Sequence, residues 1–375
     1  MSLEKGIMDS VRERTDVPAP AVDVDALTRR GRRRVAVRRA TVGLVAVAAL
    51  VAGGGVVSGL NDTRPTPDHR PDMVPAGQLH YDNGLRAYMD PGSGKIQLGG
   101  STVAIKGEWA LDTDAVATPY GLIAFEKNRR PYLLEESGKL TPLSPAPDSA
   151  DKKFYPHARV DAKRPLVAWA EYGGGDAVQI RLYDLDKREF VAETTVPCES
   201  PQACRKVRLR AIDQGLVFVR TPDGNQIWNP ESGEWTVLGG SQIADVRNKV
   251  VMMTGELPSA SRQAALGDGW RFINGEIDAQ LSHDGRWKLY WSTKLTATGG
   301  GDESIKLDVP SPSPDTFVTF DTDGSVLVAS GARSGAPDQA GLYRIYDCEV
   351  PSGECTEIGK LAPKGGDPLF VGNDM

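Results

Sequence analysis

From residue 78 onward the chain alternates short apolar runs with polar turns, and the runs have the length of strands. Leu166-Val167-Ala168-Trp169-Ala170, Leu216-Val217-Phe218-Val219 and Ser325-Val326-Leu327-Val328-Ala329 are rich in β-branched and aromatic residues. Between such runs stand turn dipeptides: Asn83-Gly84, Ser137-Gly138, Asp223-Gly224, Ser232-Gly233, Asn274-Gly275, Asp284-Gly285, Asp323-Gly324 and Ser352-Gly353. No long stretch with a 3.6-residue apolar period interrupts them. The pattern predicts an all-β domain over residues 78–375.

One hairpin recurs within it, an apolar strand end followed by a polar turn and a second short strand. It reads Tyr88-Met89-Asp90-Pro91-Gly92-Ser93-Gly94, then Leu134-Glu135-Glu136-Ser137-Gly138, Tyr183-Asp184-Leu185-Asp186 and Trp228-Asn229-Pro230-Glu231-Ser232-Gly233. Fainter copies are Ile273-Asn274-Gly275-Glu276 and Leu307-Asp308-Val309-Pro310, and the last is Tyr346-Asp347-Cys348 through Gly353. The residues after the apolar position are 90, 135, 184, 229, 274, 308 and 347, and most of the gaps suit a four-stranded propeller blade of about 40–50 residues. The expectation is a seven-bladed β-propeller, with six or eight blades left open by the irregular interval from 274 to 347.

These hairpins, with the Asp284-Gly285 and Asp323-Gly324 turns that each open a following strand, resemble the bacterial WD40-like and TolB-like propellers. The resemblance covers residues 78–372 and implies a fold rather than an activity. It also frames the ends of the domain. Only three strands are expected at the start, near Leu79–Tyr81, Leu85–Met89 and Lys95–Leu98, whereas Leu369-Phe370-Val371 stands unassigned at the other end. Leu369–Val371 is expected to complete the first blade and close the ring.

The N-terminal part has a different texture. Residues 40–60 carry no charge and as a helix span about 31 Å, close to a bilayer's hydrocarbon thickness. Arg29, Arg30, Arg32, Arg33, Arg34, Arg38 and Arg39 precede them, and the next arginine is Arg64. That asymmetry places residues 1–39 in the cytoplasm and the rest outside, with Arg32, Arg33, Arg34, Arg38 and Arg39 as the orientation signal. Residues 40–60 read as one uncleaved crossing in contact with the lipid bilayer, with a signal peptide cleaved near Ser58 or Gly59 as the alternative. Residues 61–77, with Pro65, Pro67, Pro71 and Pro75, read as an extended stalk. The run Val22-Asp23-Val24-Asp25-Ala26-Leu27, the arginines and the Ala/Val/Gly span resemble the N-termini of single-pass bacterial proteins with outer β-domains. Some of those accompany extracytoplasmic-function sigma factors, which implies a cytoplasmic partner for the tail.

Charge sharpens the division. Residues 1–39 hold ten Lys/Arg and six Asp/Glu, a net of +4, and the remainder holds 34 and 44, a net of −10. An acidic outer domain lacks the basic footprint of a nucleic-acid binder. Four cysteines fall in two close pairs, Cys198/Cys204 and Cys348/Cys355. Neither pair is C-x-x-C and no His is near, so two local disulfides are expected in an oxidising compartment rather than a zinc site.

Candidate chemistry is sparse. The four histidines, His69, His80, His157 and His283, sit beside strand starts or turns, and none lies in a nucleophile motif. Asp184-x-Asp186 and Asp321-x-Asp323 offer carboxylates, but without the later Glu of a calcium loop they read as turn residues. Ser282-His283-Asp284-Gly285-Arg286-Trp287 resembles a sialidase Asp-box with its Gly and Trp set early. Trp169 and Trp228 lie inside strand runs and read as wedges between blades. Gly255–Asp268 stands out as a candidate functional insertion.

These readings converge on a non-catalytic, membrane-anchored outer propeller that binds an extracytoplasmic protein, peptide or glycan, without a cofactor or metal. Two alternatives are carried beside it: a membrane sensor whose tail contacts a sigma factor, and a propeller hydrolase or lyase acting on glycans.

Overall fold

The computed structural model describes residues 84–370, apart from 91–93, 105–108, 111–114, 127–128, 146–153, 155–156, 173–174, 291, 311, 313–315, 332–341 and 363–368. The tail, the apolar span, the stalk, the expected strand Leu79–Tyr81, His69, His80 and the orientation arginines lie outside the described residues.

Seven sheets follow one another along the chain, and together they form a seven-bladed β-propeller. The blades are easiest to see from their cores. There are seven apolar clusters, and each is shared by two successive blades. Between blades 3 and 4, for instance, Ala168, Ile180 and Leu182 meet Leu209, Val217 and Val219. The second strand of a blade lies inside its sheet with a core on either side, so its residues are buried without alternation. Gly121–Glu126, Leu166–Glu171 and Val250–Met253 show that pattern, as does Val326–Gly331. This is why those runs read as continuously apolar. Trp169 and Trp228 are buried in these cores, as expected of wedges between blades.

Blades 3, 4, 6 and 7 are four-stranded antiparallel meanders. In blade 2 the first position is filled by two fragments, Trp109–Ala110 and Val116–Thr118, paired with opposite ends of Gly121–Glu126. The first strands pack side by side around the ring, from Val116–Thr118 of blade 2 through Ala158–Val160, Arg208–Asp213, Ile243–Arg247, Gln280–Leu281 and Thr316–Phe320 to Leu369–Phe370. A parallel bridge between Asp161 and Ile212 shows that the first strands of blades 3 and 4 run in the same direction.

Blade 5 departs from the pattern, and its departure explains the short repeat intervals. It has three strands, and the last, Arg271–Asn274, runs parallel to its neighbour Val250–Met253. Three antiparallel strands would leave the chain at the wrong end of the ring to begin blade 6. The segment Gly255–Asp268, with the short helix Ala260–Ala264, carries the chain back across so that Arg271–Asn274 ends at the correct side. Leu257, Leu266 and Trp270 pack on the core between blades 4 and 5, and Trp270 meets the Phe218 ring at 5.6 Å. The expected functional insertion is therefore a structural crossover.

Three repeat markers are corrected. Asn274 and Asp308 do not sit in hairpins of the recurring kind; Asn274 ends the last strand of blade 5 and Asp308 follows the last strand of blade 6. The equivalent turn of blade 6 spans 298–303, between Lys294–Ala297 and Ser304–Lys306. The marker at Asp90 belongs to the turn between the second and third strands of blade 1.

Blade 1 is assembled from both ends of the chain. Leu369–Phe370 supplies its first strand and pairs antiparallel with Tyr88–Asp90, with Tyr88 opposite Phe370 and Met89 opposite Leu369. The latch expected at residues 369–371 forms over Leu369–Phe370, Val371 lying outside the described residues, but the N-terminal strands are Tyr88–Asp90, Lys95–Leu98 and Ser101–Ala104. The expected strand at Leu85–Met89 begins three residues late, because the Leu85 and Arg86 amides turn to blade 7. Leu85 N–H donates to Asp321 Oδ1 at 3.2 Å and Thr322 Oγ1 at 2.9 Å, and Arg86 N–H donates to Asp321 Oδ2 at 2.8 Å. The Arg86 guanidinium then donates to Asp347 Oδ2 from Nη2 at 2.6 Å and from Nε at 2.9 Å. A Cβ at Gly84 would collide with the Asp321 carboxylate, and its φ of +73° also favours glycine.

Phe370 is buried with Tyr88, Leu327, Ala329, Tyr343 and Ile345 in the core that joins blade 7 to blade 1. Phe370→Ala should lower the stability of the domain by about 3 kcal/mol. Deleting residues 367–375 should cost at least as much, because the first strand of blade 1 goes with the ring contact. Chemical denaturation with full-length protein checks both, and an unchanged midpoint in the truncated chain would refute the latch.

Candidate functional site

The four cysteines form the two expected disulfides. Cys198–Cys204 closes the connection from blade 3 to blade 4, and Cys348–Cys355 ties the last two strands of blade 7. In the first loop, Ser200 caps the short helix Pro201–Cys204 by accepting from the Ala203 amide at 3.2 Å. Cys204 is buried in the core between blades 3 and 4, so the loop is pinned at its far end.

This loop leads directly into an arginine-bearing part of the inner wall. Arg208 begins the first strand of blade 4, and its Nη1 donates to the Arg205 carbonyl at 2.5 Å and the Val207 carbonyl at 2.9 Å. Directly opposite Arg208 on the second strand stands Arg220. The register slips between Leu209 and Ala211, which makes Arg210 the extra residue of a β-bulge. From blade 3, Arg159 Nε donates to the Arg210 carbonyl at 3.0 Å and Nη1 to the Ala158 carbonyl at 2.7 Å. His157 precedes the same strand.

Positive charges gathered in a half-buried place lower one another's pKa. Burial, then the charges of Arg159, Arg208 and Arg210, push the His157 imidazole down to about 2, so it is neutral at ordinary pH. Burial, then Arg208 and Arg220, also lowers Arg210. Sequence reading singled out none of these arginines. Positions 208 and 210 share a strand face by alternation, and strand pairing brings 220 and 159 to them.

The other end of the inner wall, where first strands turn into second strands, is a belt of turn-to-turn hydrogen bonds. Asp161 Oδ2 accepts from Gly215 N–H at 2.9 Å. Asp213 accepts from the Asn248 and Lys249 amides at 2.9 and 2.7 Å. Arg247 reaches from blade 5 to the Val160 carbonyl of blade 3 at 3.1 Å. His283, in the turn of blade 6, is held near 4 by burial and then Arg247, with Asp284 opposing.

The remaining sequence candidates have local roles. Asp184 accepts from the Asp186 and Lys187 amides in its own turn. Asp321 receives the blade 1 amides, and burial raises it to about 6 against those hydrogen bonds. In the Asp-box-like turn, Ser282 Oγ donates to Asp284 Oδ1 at 2.6 Å and accepts from Trp287 N–H at 3.0 Å, while Trp287 is buried. No group of three His, Cys, Asp or Glu is placed to hold a metal ion among the described residues.

No family model matches this chain. No curated protein matches it either. Among solved structures it is similar to the AfRom2 CNH domain, at 10% identity and a TM-score of 0.36, over 67% of this chain and 92% of that one. It is also similar to the Myceliophteria thermophila Cps50 (Swd1) β-propeller domain, at 11% identity and a TM-score of 0.28, over 71% and 72% of the two chains. Dihydro-heme d1 dehydrogenase NirN in complex with DHE matches at 14% identity and a TM-score of 0.34, over 77% of this chain and 61% of that one.

The shifted groups give the stability a pH signature whose sign can be worked out. The folded value of His157 lies below the unfolded value of about 6.5, so its contribution is present above that pH and is lost on acidification. Asp321 lies above its unfolded value of 3.8, so its contribution is present at low pH and is lost as pH rises through about 6. Between pH 6.5 and 4 the two groups oppose each other, each with a slope of at most about 1.4 kcal/mol per pH unit. His157→Gln should make stability fall less steeply on acidification, and Asp321→Asn should make it fall more steeply. Denaturant midpoints from pH 7 to 4 provide the comparison, and parallel curves for all three proteins would exclude both assignments.

Proposed function

We propose that the propeller is a binding module held outside a membrane by residues 40–60, with residues 1–39 on the inner side. The observation that carries the binding role is the charge inversion between the acidic chain and the inner wall of blades 3 and 4. Residues 40–375 carry a net −10, yet Arg159, Arg208, Arg210 and Arg220 gather on neighbouring strands of that wall. Arginines gathered inside an otherwise acidic domain offer donors to an anionic ligand. The donors are arginines with a neutral imidazole beside them, a set suited to holding a ligand rather than to cleaving one.

The placement outside is supported by the uncharged 21-residue run, its arginine flank and the two disulfides, which suit an oxidising compartment. Among the described residues no helix is long and apolar enough to cross a membrane, and residues 40–60 lie outside them.

Protease added to intact spheroplasts should degrade the region after residue 61 and leave a protected fragment near residues 1–60. A mature N-terminus between Val57 and Asn61, or full protection of the propeller, would overturn the placement. Mass mapping of the non-reduced protein should find both disulfides closed in the cell-derived material, and free thiols there would count against an oxidising compartment.

A further inference from the structure

We propose that the outer edge of blade 5, beside a row of lysines on blade 6, binds an acidic peptide segment of a partner protein, which adds to blade 5 as its missing fourth strand. The site stands apart from the arginines of blades 3 and 4 and depends neither on them nor on the membrane placement.

The open edge is a consequence of the crossover. Blade 5 ends at its third strand, Arg271–Asn274, and among the described residues no strand pairs with the outer side of it. The inner side is taken. Arg271 N–H donates to the Lys249 carbonyl at 2.8 Å and Gly275 N–H to the Met253 carbonyl at 2.9 Å. Alternation along the strand then turns the N–H and C=O groups of Phe272 and Asn274 outward, where they meet no backbone partner among the described residues. The crossover segment Gly255–Asp268 packs toward blade 4 instead. Glu256 pairs through its backbone with Ser241, Arg262 lies against Gly239, and Leu257 and Leu266 join the core between blades 4 and 5. Every other blade carries its edge on an outermost strand at the rim. The edge of blade 5 lies one strand further in, so a strand added there meets the outer half of blade 6 as well as a hydrogen-bonding edge.

That half of blade 6 supplies the charge. Trp287, Leu289, Leu295 and Ile305 pack toward blade 7, whereas Leu281 packs toward blade 5. Leu281 is opposite Lys288, Lys288 opposite Thr296 and Thr296 opposite Ser304, so this row faces blade 5. Lys294 and Lys306 stand two residues along the same strands, directly opposite each other, and share that face. Lys294, Thr296, Ser304 and Lys306 are all exposed, whereas the third strand of blade 4, Gly224–Trp228, has no exposed residue. Among the described residues the side chains of Lys288, Lys294 and Lys306 make no ion pair. Like charges directly opposite each other destabilise a sheet, and carboxylates on a neighbouring strand offset that cost.

The edge and the lysines together select the occupant. Outward N–H and C=O groups at strand spacing are matched by a polypeptide backbone. Lysines on one facing sheet are matched by carboxylates on alternate residues of the added strand, because successive side chains point to opposite faces. The intervening residues face the side where Leu257 and Trp270 pack, which suits apolar side chains. Ile277 and Tyr290, 53% and 44% exposed, add apolar surface at one end, since Gln280 pairs with Leu289 and brings the two flanking segments together.

The test uses the full-length protein in detergent and a short peptide alternating glutamate with valine. Binding should saturate by calorimetry, and amide hydrogen exchange over residues 271–275 should slow in the complex. The same alternation with lysine in place of glutamate should not bind. Of two further peptides, methylated at the backbone nitrogens of either the glutamates or the valines, one should lose binding and the other keep it, because an added strand bonds through one edge. Lys294→Glu combined with Lys306→Glu should weaken the glutamate peptide about tenfold or more and admit the lysine peptide. Both side chains are exposed, so that protein should melt as the parent does. Lys187→Glu, in an exposed turn of blade 3, should leave binding unchanged. Equal binding of both methylated peptides, unchanged exchange over 271–275, or an affinity indifferent to the blade 6 reversal would overturn the proposal. A protein that sediments as a dimer, with those amides already protected before peptide is added, would assign the edge to a second copy of the chain and overturn it too.

Discussion

Every blade of this propeller has two apolar faces, and the structure follows from the need to bury both. A sheet with one apolar face can rest against solvent on the other, whereas these sheets can only stand between two like themselves. Seven such sheets in sequence bury six interfaces and leave two open faces, one at each end. Closing the ring converts those two into the seventh core, where Tyr88 and Phe370 of blade 1 meet Leu327, Tyr343 and Ile345 of blade 7. The last strand of the chain supplies the first strand of blade 1, so closure is written into the pairing of one sheet as well as into packing.

A second device recurs at the end where first strands turn back. An aspartate at that turn of one blade accepts backbone amides from the turn of the next. Asp161 does so for blade 4, Asp213 for blade 5 and Asp321 for blade 1. The receiving turns contain residues of positive φ, among them Gly215, Asn248, Lys249 and Arg86. That conformation aims successive N–H groups at one point, which is what a carboxylate requires. All three carboxylates are buried, and the hydrogen bonds they accept offset the cost of removing them from water. At the seam the same bond is reinforced by the Arg86–Asp347 ion pair and by the close approach of the Tyr88 hydroxyl to Gly359, where a Cβ would collide.

On the inner wall of blades 3 and 4, Arg208 and Arg220 face each other across two strands of blade 4, and burial together with neighbouring arginines keeps His157 neutral. The Cys198–Cys204 loop joins the two blades at that place, and the Arg205 carbonyl just beyond it anchors Arg208.

The sequence by itself determined the strands, the blades and the two disulfides. Central-strand runs such as Leu216-Val217-Phe218-Val219 are apolar on both sides because both sides are buried, and turn dipeptides punctuate them at near-blade intervals. Even the latch was legible, since Leu369-Phe370-Val371 was an apolar run without a local partner. The three strands of blade 5 were not legible, because a parallel crossover leaves the same apolar runs as a hairpin and differs only in direction. Nor was the arginine cluster, because only positions 208 and 210 have the two-residue spacing of one strand face, whereas 159 and 220 come from other strands. Register decided that these residues share one wall, and register is a property of paired strands rather than of any one of them.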